Sequence, residues 1–260
     1  MIYAQENLMK NSEINIRRCE TLDEIDSCVK LQKKVFALPD LEISPRRHFV
    51  VTISAGGFVL GAFAAEKLVG FVLSVPGFLH GERFFYSHMT AVAGDFQGLG
   101  VGAKLKWAQR EQALKQNVKF IKWTFEPFQA RNAFFNLEKL GVVIKSYASN
   151  FYGTDYSTIP EQSEKIGLKS DRLFAEWHLE SEKVVVLSKG KEFIEKDDVI
   201  STIEISNDWN DLVKHNPEKA VAEQQRVKKE FQKAFAENLI CKSFHRDYEK
   251  PKYLLFEQKY

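Results

Sequence analysis

Gln97-Gly98-Leu99-Gly100-Val101-Gly102-Ala103 constrains this chain more than any other stretch. An apolar run from Phe84 to Val92 precedes it. Leu105, Ala108, Gln109, Gln112 and Ala113 follow at helical spacing. The order is strand, glycine turn, helix. Glycines on alternate residues let backbone come close to a ligand and take conformations that a Cβ forbids. The unpaired N–H groups at the helix start, with the helix dipole behind them, make an anion site, and phosphate is the expected anion. A nucleotide P-loop needs Lys-Ser/Thr after the glycines, and the pair is absent. The dinucleotide fingerprint fails because the third glycine comes too soon. It also needs an acidic residue about 20 residues on, and Glu126, the one acid between 112 and 137, is not at that distance.

A second segment lies downstream. Phe120-Ile121-Lys122-Trp123-Thr124-Phe125 reads as a buried strand, and Glu126-Pro127 ends it. Asn132 to Leu140 reads as a helix with Gly141 as its C-cap. Together these segments resemble the GCN5-related N-acetyltransferase (GNAT) superfamily. Gln97, Gly100 and Gly102 match its acyl-CoA pyrophosphate loop, Arg/Gln-x-x-Gly-x-Gly/Ala. Asn132 through Gly141 matches its closing helix, and the likeness runs from residue 14 to about 180.

The resemblance implies an α+β, three-layered fold: a mixed, mostly antiparallel sheet flanked by helices. Residues 1–12 read as a loose leader, 13–180 as the acyl-CoA-binding domain and 181–260 as a β-α-β extension packed on it. Ile14–Cys19 is the first strand. Thr21 with Glu24 makes a capping box for the next helix. Residues 39–57 read as irregular, 58–65 and 68–75 as a hairpin, and 142–147 and 172–179 as strands. A polar stretch runs through Pro160 and Gly167. In the tail, 184–187 and 199–205 read as strands, 217–238 as a helix opened by Pro217, and 253–256 as a final strand.

The implied function is transfer of an acetyl or succinyl group from CoA to the amine of a small molecule, an amino acid among the candidates, by direct attack in a ternary complex. The alternative is an acyl-CoA-binding sensor or interaction module with little catalysis. By resemblance, backbone at Met89, Ala91 and Val92 positions the pantetheine arm and the acyl carbonyl. Gln97, Gly98, Gly100, Gly102, Ala103, Lys104 and Arg131 meet the phosphates, and Asn132 bonds the pantetheine. Lys104 and Arg131 read equally as surface ion-pair residues, and Asn132 as a helix N-cap.

Tyr86, His88 and Thr90 alternate onto one face of their strand, which puts Tyr86 at the substrate and His88 forward as the base. Glu126 is a second candidate base or a helix cap. Many members carry a Tyr four residues before the glycine that ends the Asn-initiated helix. Here that position is Leu137, so Tyr152 or Tyr147 becomes the candidate acid. The proline often found before the loop is replaced by Gly94. Arg172, or Arg46 and Arg47, could bind a carboxylate of donor or acceptor.

Composition agrees with a soluble protein. The chain has 260 residues, 44% hydrophobic, with a formal charge of +2, which gives no field for nucleic acid or membrane. Cys19, Cys28 and Cys241 lack metal spacing, so neither a metal site nor a disulfide framework is expected, and a reducing cytoplasm suits the chain. The start shows no signal peptide. The tail could also exchange across a homodimer, and the sequence leaves both arrangements open.

Overall fold

The computed structural model describes residues 13–153 and 168–259, which fall into two compact units, 1–121 and 122–260. The polar stretch through Pro160 and Gly167, like the leader, lies outside the described residues.

In the first unit, strands β1 (Ile14–Arg18), β2 (Phe58–Ala64), β3 (Lys67–Leu79) and β4 (Glu82–Val92) lie in chain order, every pair antiparallel. Helix α1 (Leu22–Phe36) begins at the predicted capping box. Thr21 accepts from the Glu24 N–H, and the Glu24 carboxylate accepts from the Thr21 N–H. Its Ile25, Cys28 and Leu31 pack with Val59, Phe63, Phe71, Leu73 and Ala91 on one face of the sheet. Helix α3 (Val101–Lys115) covers the other face. Gly70 makes that approach close: a Cβ there would stand 3.2 Å from Leu105 and 3.0 Å from the Ala91 carbonyl.

Residues 39–57 are not irregular throughout, because Arg46–Ser54 forms helix α2. Phe49 and Thr52 are buried, whereas Val50, Val51 and Ile53 are exposed. Apolar residues on both sides of so short a helix hide its amphipathic period.

In the second unit the strand order is β5 (Phe120–Phe125), β7 (Arg172–His178), β6 (Val143–Ala148), β9 (Leu239–His245), β10 (Lys252–Glu257) and β8 (Ser201–Glu204). The β6–β7, β6–β9, β9–β10 and β10–β8 pairs are antiparallel. Helix α4 (Ala130–Phe134) runs into a π-helical turn (Phe135–Leu140), which Gly141 ends at φ 74°. Trp177 lies beneath this turn and donates to the Leu140 carbonyl at 2.7 Å. The whole is a mixed α+β fold with a largely antiparallel sheet flanked by helices.

Beyond residue 180 the elements differ from the expected β-α-β. Val184–Leu187 lies in helix α5 (Glu182–Ser188), although Val-Val-Val favours strands. Val184 and Leu187 pack on Gly141, whose missing Cβ leaves room at 3.1–3.2 Å, and this contact outweighs local propensity. Helix α6 (Trp209–His215) precedes α7 (Pro217–Ala236), which has Pro217 in its first turn and Asn216 as its cap. Strand β9 was not expected from sequence; its Leu-Ile-Cys-Lys-Ser-Phe-His run is buried at Leu239, Ile240, Cys241 and Phe244, without strict alternation.

Candidate functional site

The glycine loop of the first unit has the predicted geometry. Gly98 and Gly100 hold φ 81° and 80°, a region that a side chain disfavours. Gly100 is the residue before α3 and offers no side chain to cap it. The first closed turn is Lys104 N–H to the Gly100 carbonyl, so the N–H groups of Val101, Gly102 and Ala103 fall among the helix-start donors. Gly102 needs neither positive φ nor tight packing. A Cβ there would meet only Val92, at 3.9 Å, and one at Gly98 would meet nothing within 4 Å. Gln97 turns back and donates from Nε2 to the Val92 carbonyl at 3.0 Å, fixing the loop to the end of β4. Lys104 is half-buried on the first turn of the helix.

Behind the loop, α3 is tied to the sheet by a buried polar network. Lys106 donates to Gln109 Oε1 at 2.8 Å and to Ser87 Oγ at 3.0 Å, while Gln109 Nε2 donates to Ser74 Oγ at 2.8 Å. Burial drives the Lys106 pKa well down, since desolvation penalises the ammonium.

Strand β4 departs from the expected alternation. Leu73 pairs with Met89, but the next residue, Ser74, pairs with Ser87, so His88 is an extra residue in a bulge. The bulge splits the expected Tyr86–His88–Thr90 row. Met89 and Ala91 pack with the α1 cluster, and Thr90 pairs with Val72 on the other face. His88 meets Ser44 Oγ through Nε2 at 3.1 Å and lies edge-on to His48, ring centroids 5.2 Å apart. Burial and the neighbouring His48 hold its pKa down at about 4, so the ring is neutral at neutral pH. Tyr86 is half-buried, opposite Val75. Arg46 is paired with Asp26 at 3.2 Å.

The second unit holds the other predicted residues. Both Glu126 oxygens are engaged: Oε1 accepts from Trp209 Nε1 at 2.7 Å, Oε2 from Gln129 Nε2 at 3.2 Å. Phe128 stacks on Trp209 at 3.8 Å and 13°, and the Tyr253 hydroxyl donates to the Pro127 carbonyl at 2.6 Å. The turn before α4 is thus held by side chains of α6 and β10. Asn132 is not the helix cap; Gln129 occupies that position, and Arg131 and Asn132 lie exposed inside the first turns. Leu137 is fully buried.

Tyr152 and Arg172 are brought together. The Arg172 guanidinium stands 5.4 Å from the Tyr152 ring centroid, and the Tyr152 hydroxyl lies 3.2 Å from Thr124 Oγ1. Asp171, the preceding residue, is buried. Its carboxylate accepts from Tyr147 at 2.6 Å and from the Asn150 N–H at 2.8 Å, while Arg172 donates to the Asp171 backbone carbonyl. Burial and that carboxylate push the Tyr147 pKa up, committing its proton to Asp171. Of the two tyrosines, Tyr152 is the one exposed to solvent.

Sequence reasoning missed Ser44, Gln32, Trp209 and Tyr253. The one local signal was Trp209, a lone aromatic inside Ser-Asn-Asp-Trp-Asn-Asp. Among the described residues, no group of three or more His, Cys, Asp or Glu side chains could hold a metal ion, and no helix is long and apolar enough to cross a membrane.

Residues 25–142 match the model of the Acetyltransferase (GNAT) family. The matched segment contains the glycine loop, the bulged strand and the helix ending at Gly141. Two solved structures share the fold. The yncA protein of Salmonella typhimurium, solved with its cofactor acetyl-CoA, is 13% identical with a TM-score of 0.52, over 65% of this chain and 95% of its own. A GNAT-family protein from Desulfovibrio desulfuricans is also 13% identical, with a TM-score of 0.50, over 64% of this chain and 99% of its own. No curated protein matches the chain.

Proposed function

We propose that this chain is an acyl-CoA-dependent N-acyltransferase, moving an acetyl group from acetyl-CoA to the amine of a small molecule by direct attack in a ternary complex. The observation that carries the reading is the start of α3. Its N–H groups lack a side-chain cap and follow two glycines in the left-handed region. Pyrophosphate oxygens are the natural acceptors for such donors, and the helix dipole adds to their attraction. Gly98 and Gly102 leave the approach open. Backbone at Met89, Ala91 and Val92, just past the bulge, is where the pantetheine arm and acyl carbonyl would lie.

In the reaction the amine nitrogen bonds the thioester carbon, the C–S bond breaks, and the amine proton leaves to a base. We place that base on His88. It is neutral, whereas both Glu126 oxygens already accept hydrogen bonds within their own turn. The departing thiolate, with an ordinary pKa near 8.5, needs little help. Tyr152 is the candidate to protonate it, Arg131 and Asn132 are candidates for CoA contacts, and Arg172 is a candidate carboxylate ligand. Single substitutions at each test these roles.

Thermal unfolding with CoA, acetyl-CoA and succinyl-CoA tests the reading first. A ligand at 100 times its dissociation constant stabilises by about 2.7 kcal/mol. Stabilisation by acetyl-CoA, followed by acceptor-dependent release of free CoA, supports the enzyme. A larger effect from succinyl-CoA moves the donor to succinyl and brings Arg172 forward. No shift with any of the three overturns the reading. Leu137 favours one second reading, an acyl-CoA sensor, because a buried leucine cannot protonate a thiolate. That reading predicts saturable binding and no thiol release with any amine.

A further inference from the structure

His88 is held by a chain of contacts that begins on α1. Gln32 is fully buried, and both polar atoms of its amide bond one residue: Nε2 donates to the Ser44 carbonyl at 2.6 Å, and Oε1 accepts from the Ser44 N–H at 3.2 Å. Two antiparallel hydrogen bonds from one amide fix both the place and the orientation of the Ser44 backbone. The loop between α1 and α2 is otherwise exposed at Asp40, Leu41, Glu42 and Pro45, so Ser44 is the point at which it is pinned. From there Ser44 Oγ reaches His88 Nε2 at 3.1 Å. Among the described residues Nδ1 of His88 has no hydrogen-bond partner, and the titratable ring facing it is His48 of α2, edge-on. A buried amide whose nitrogen and oxygen are both hydrogen-bonded to one residue favours a single arrangement.

We propose that Ser44, pinned by Gln32, is the positioning residue for His88. It accepts the Nε2 proton, fixes the tautomer, and leaves the Nδ1 lone pair as the atom that takes the amine proton. The proposal rests on the assignment of His88 as the base. A neutral imidazole has one donor and one acceptor nitrogen, and the bond made by one nitrogen decides the other. Ser44 touches neither donor nor acceptor in this scheme and acts only through the ring.

The test uses the full chain with 15N-labelled histidine, as wild type, Ser44→Ala and Ser44→Thr. Nitrogen shifts at neutral pH report which ring nitrogen carries the proton. The expected result is a His88 signal with Nε2 protonated and Nδ1 bare, replaced by a tautomer mixture in Ser44→Ala and restored in Ser44→Thr. In parallel, Ser44→Ala lowers kcat roughly tenfold, the size of one lost hydrogen bond, with KM for acetyl-CoA unchanged. A proton on Nδ1 in the wild type, or an unchanged tautomer in Ser44→Ala, overturns the proposal. If the chain binds acetyl-CoA without transferring it, the function proposed above fails, and the tautomer measurement, which needs no acceptor, still decides the role of Ser44.

Discussion

The glycine loop at 97–103 and the turn at 126–129 are built by opposite means. The loop is shaped by its own backbone: Gly98 and Gly100 in the left-handed region, an uncapped helix start, and Gln97 bonded five residues back to Val92. The turn is shaped from afar. Trp209 stacks on Phe128 and bonds Glu126 across 83 residues, and Tyr253 bonds Pro127 across 126. Local means leave the helix start without a side-chain cap. Remote means engage the polar groups of the turn, both Glu126 oxygens included.

That contrast breaks most directly at Trp209. Trp209→Ala removes a stacked, buried ring and the partner of a carboxylate, and is expected to cost about 3–5 kcal/mol in urea unfolding. A loss under about 1 kcal/mol would mean that the turn stands by itself, as the glycine loop does. The next effect is pH dependence. His88 titrates at about 4 in the fold and near 6.5 unfolded. Between those values the unfolded chain binds more protons, so this stability is present above pH 6.5 and lost as pH falls toward 4. The loss is about 3 kcal/mol, and His88→Asn should flatten that slope.

Two glycine variants sharpen the comparison. Gly100→Ala forces a Cβ into the left-handed region and should cost about 1–2 kcal/mol. Gly102→Ala should leave stability within about 0.5 kcal/mol while weakening CoA binding in calorimetry, because that glycine serves approach and not conformation. An equal loss of stability at both positions would refute the division. In the turn, Tyr253→Phe strips one donor from the buried Pro127 carbonyl and should cost about 1 kcal/mol, with CoA affinity unchanged.

Wherever a feature depends on neighbours in the chain, the residues announced it. The capping box at Thr21 and Glu24, the helix opened by Pro217, the C-cap at Gly141 and the glycine loop each need a few adjacent side chains, and each is where the pattern placed it. Reading failed where distant contacts rule. Val184–Leu187 has strand chemistry and is helical because it packs on Gly141. Tyr86, His88 and Thr90 alternate in sequence but not in space, because a bulge has no side-chain signature and is defined by the register of the partner strand.

By itself, then, the sequence determined the glycine loop, because positive φ and a helix start without a side-chain cap follow from glycine and the local pattern alone. It also determined the α+β frame that displays the loop. Only the tertiary structure decided how the titratable groups are used. His88 is bulged out, bonded to Ser44 and neutral, while Glu126 is committed to Trp209 and Gln129. Burial and partners set the state of such a group, and both come from residues far away in the chain.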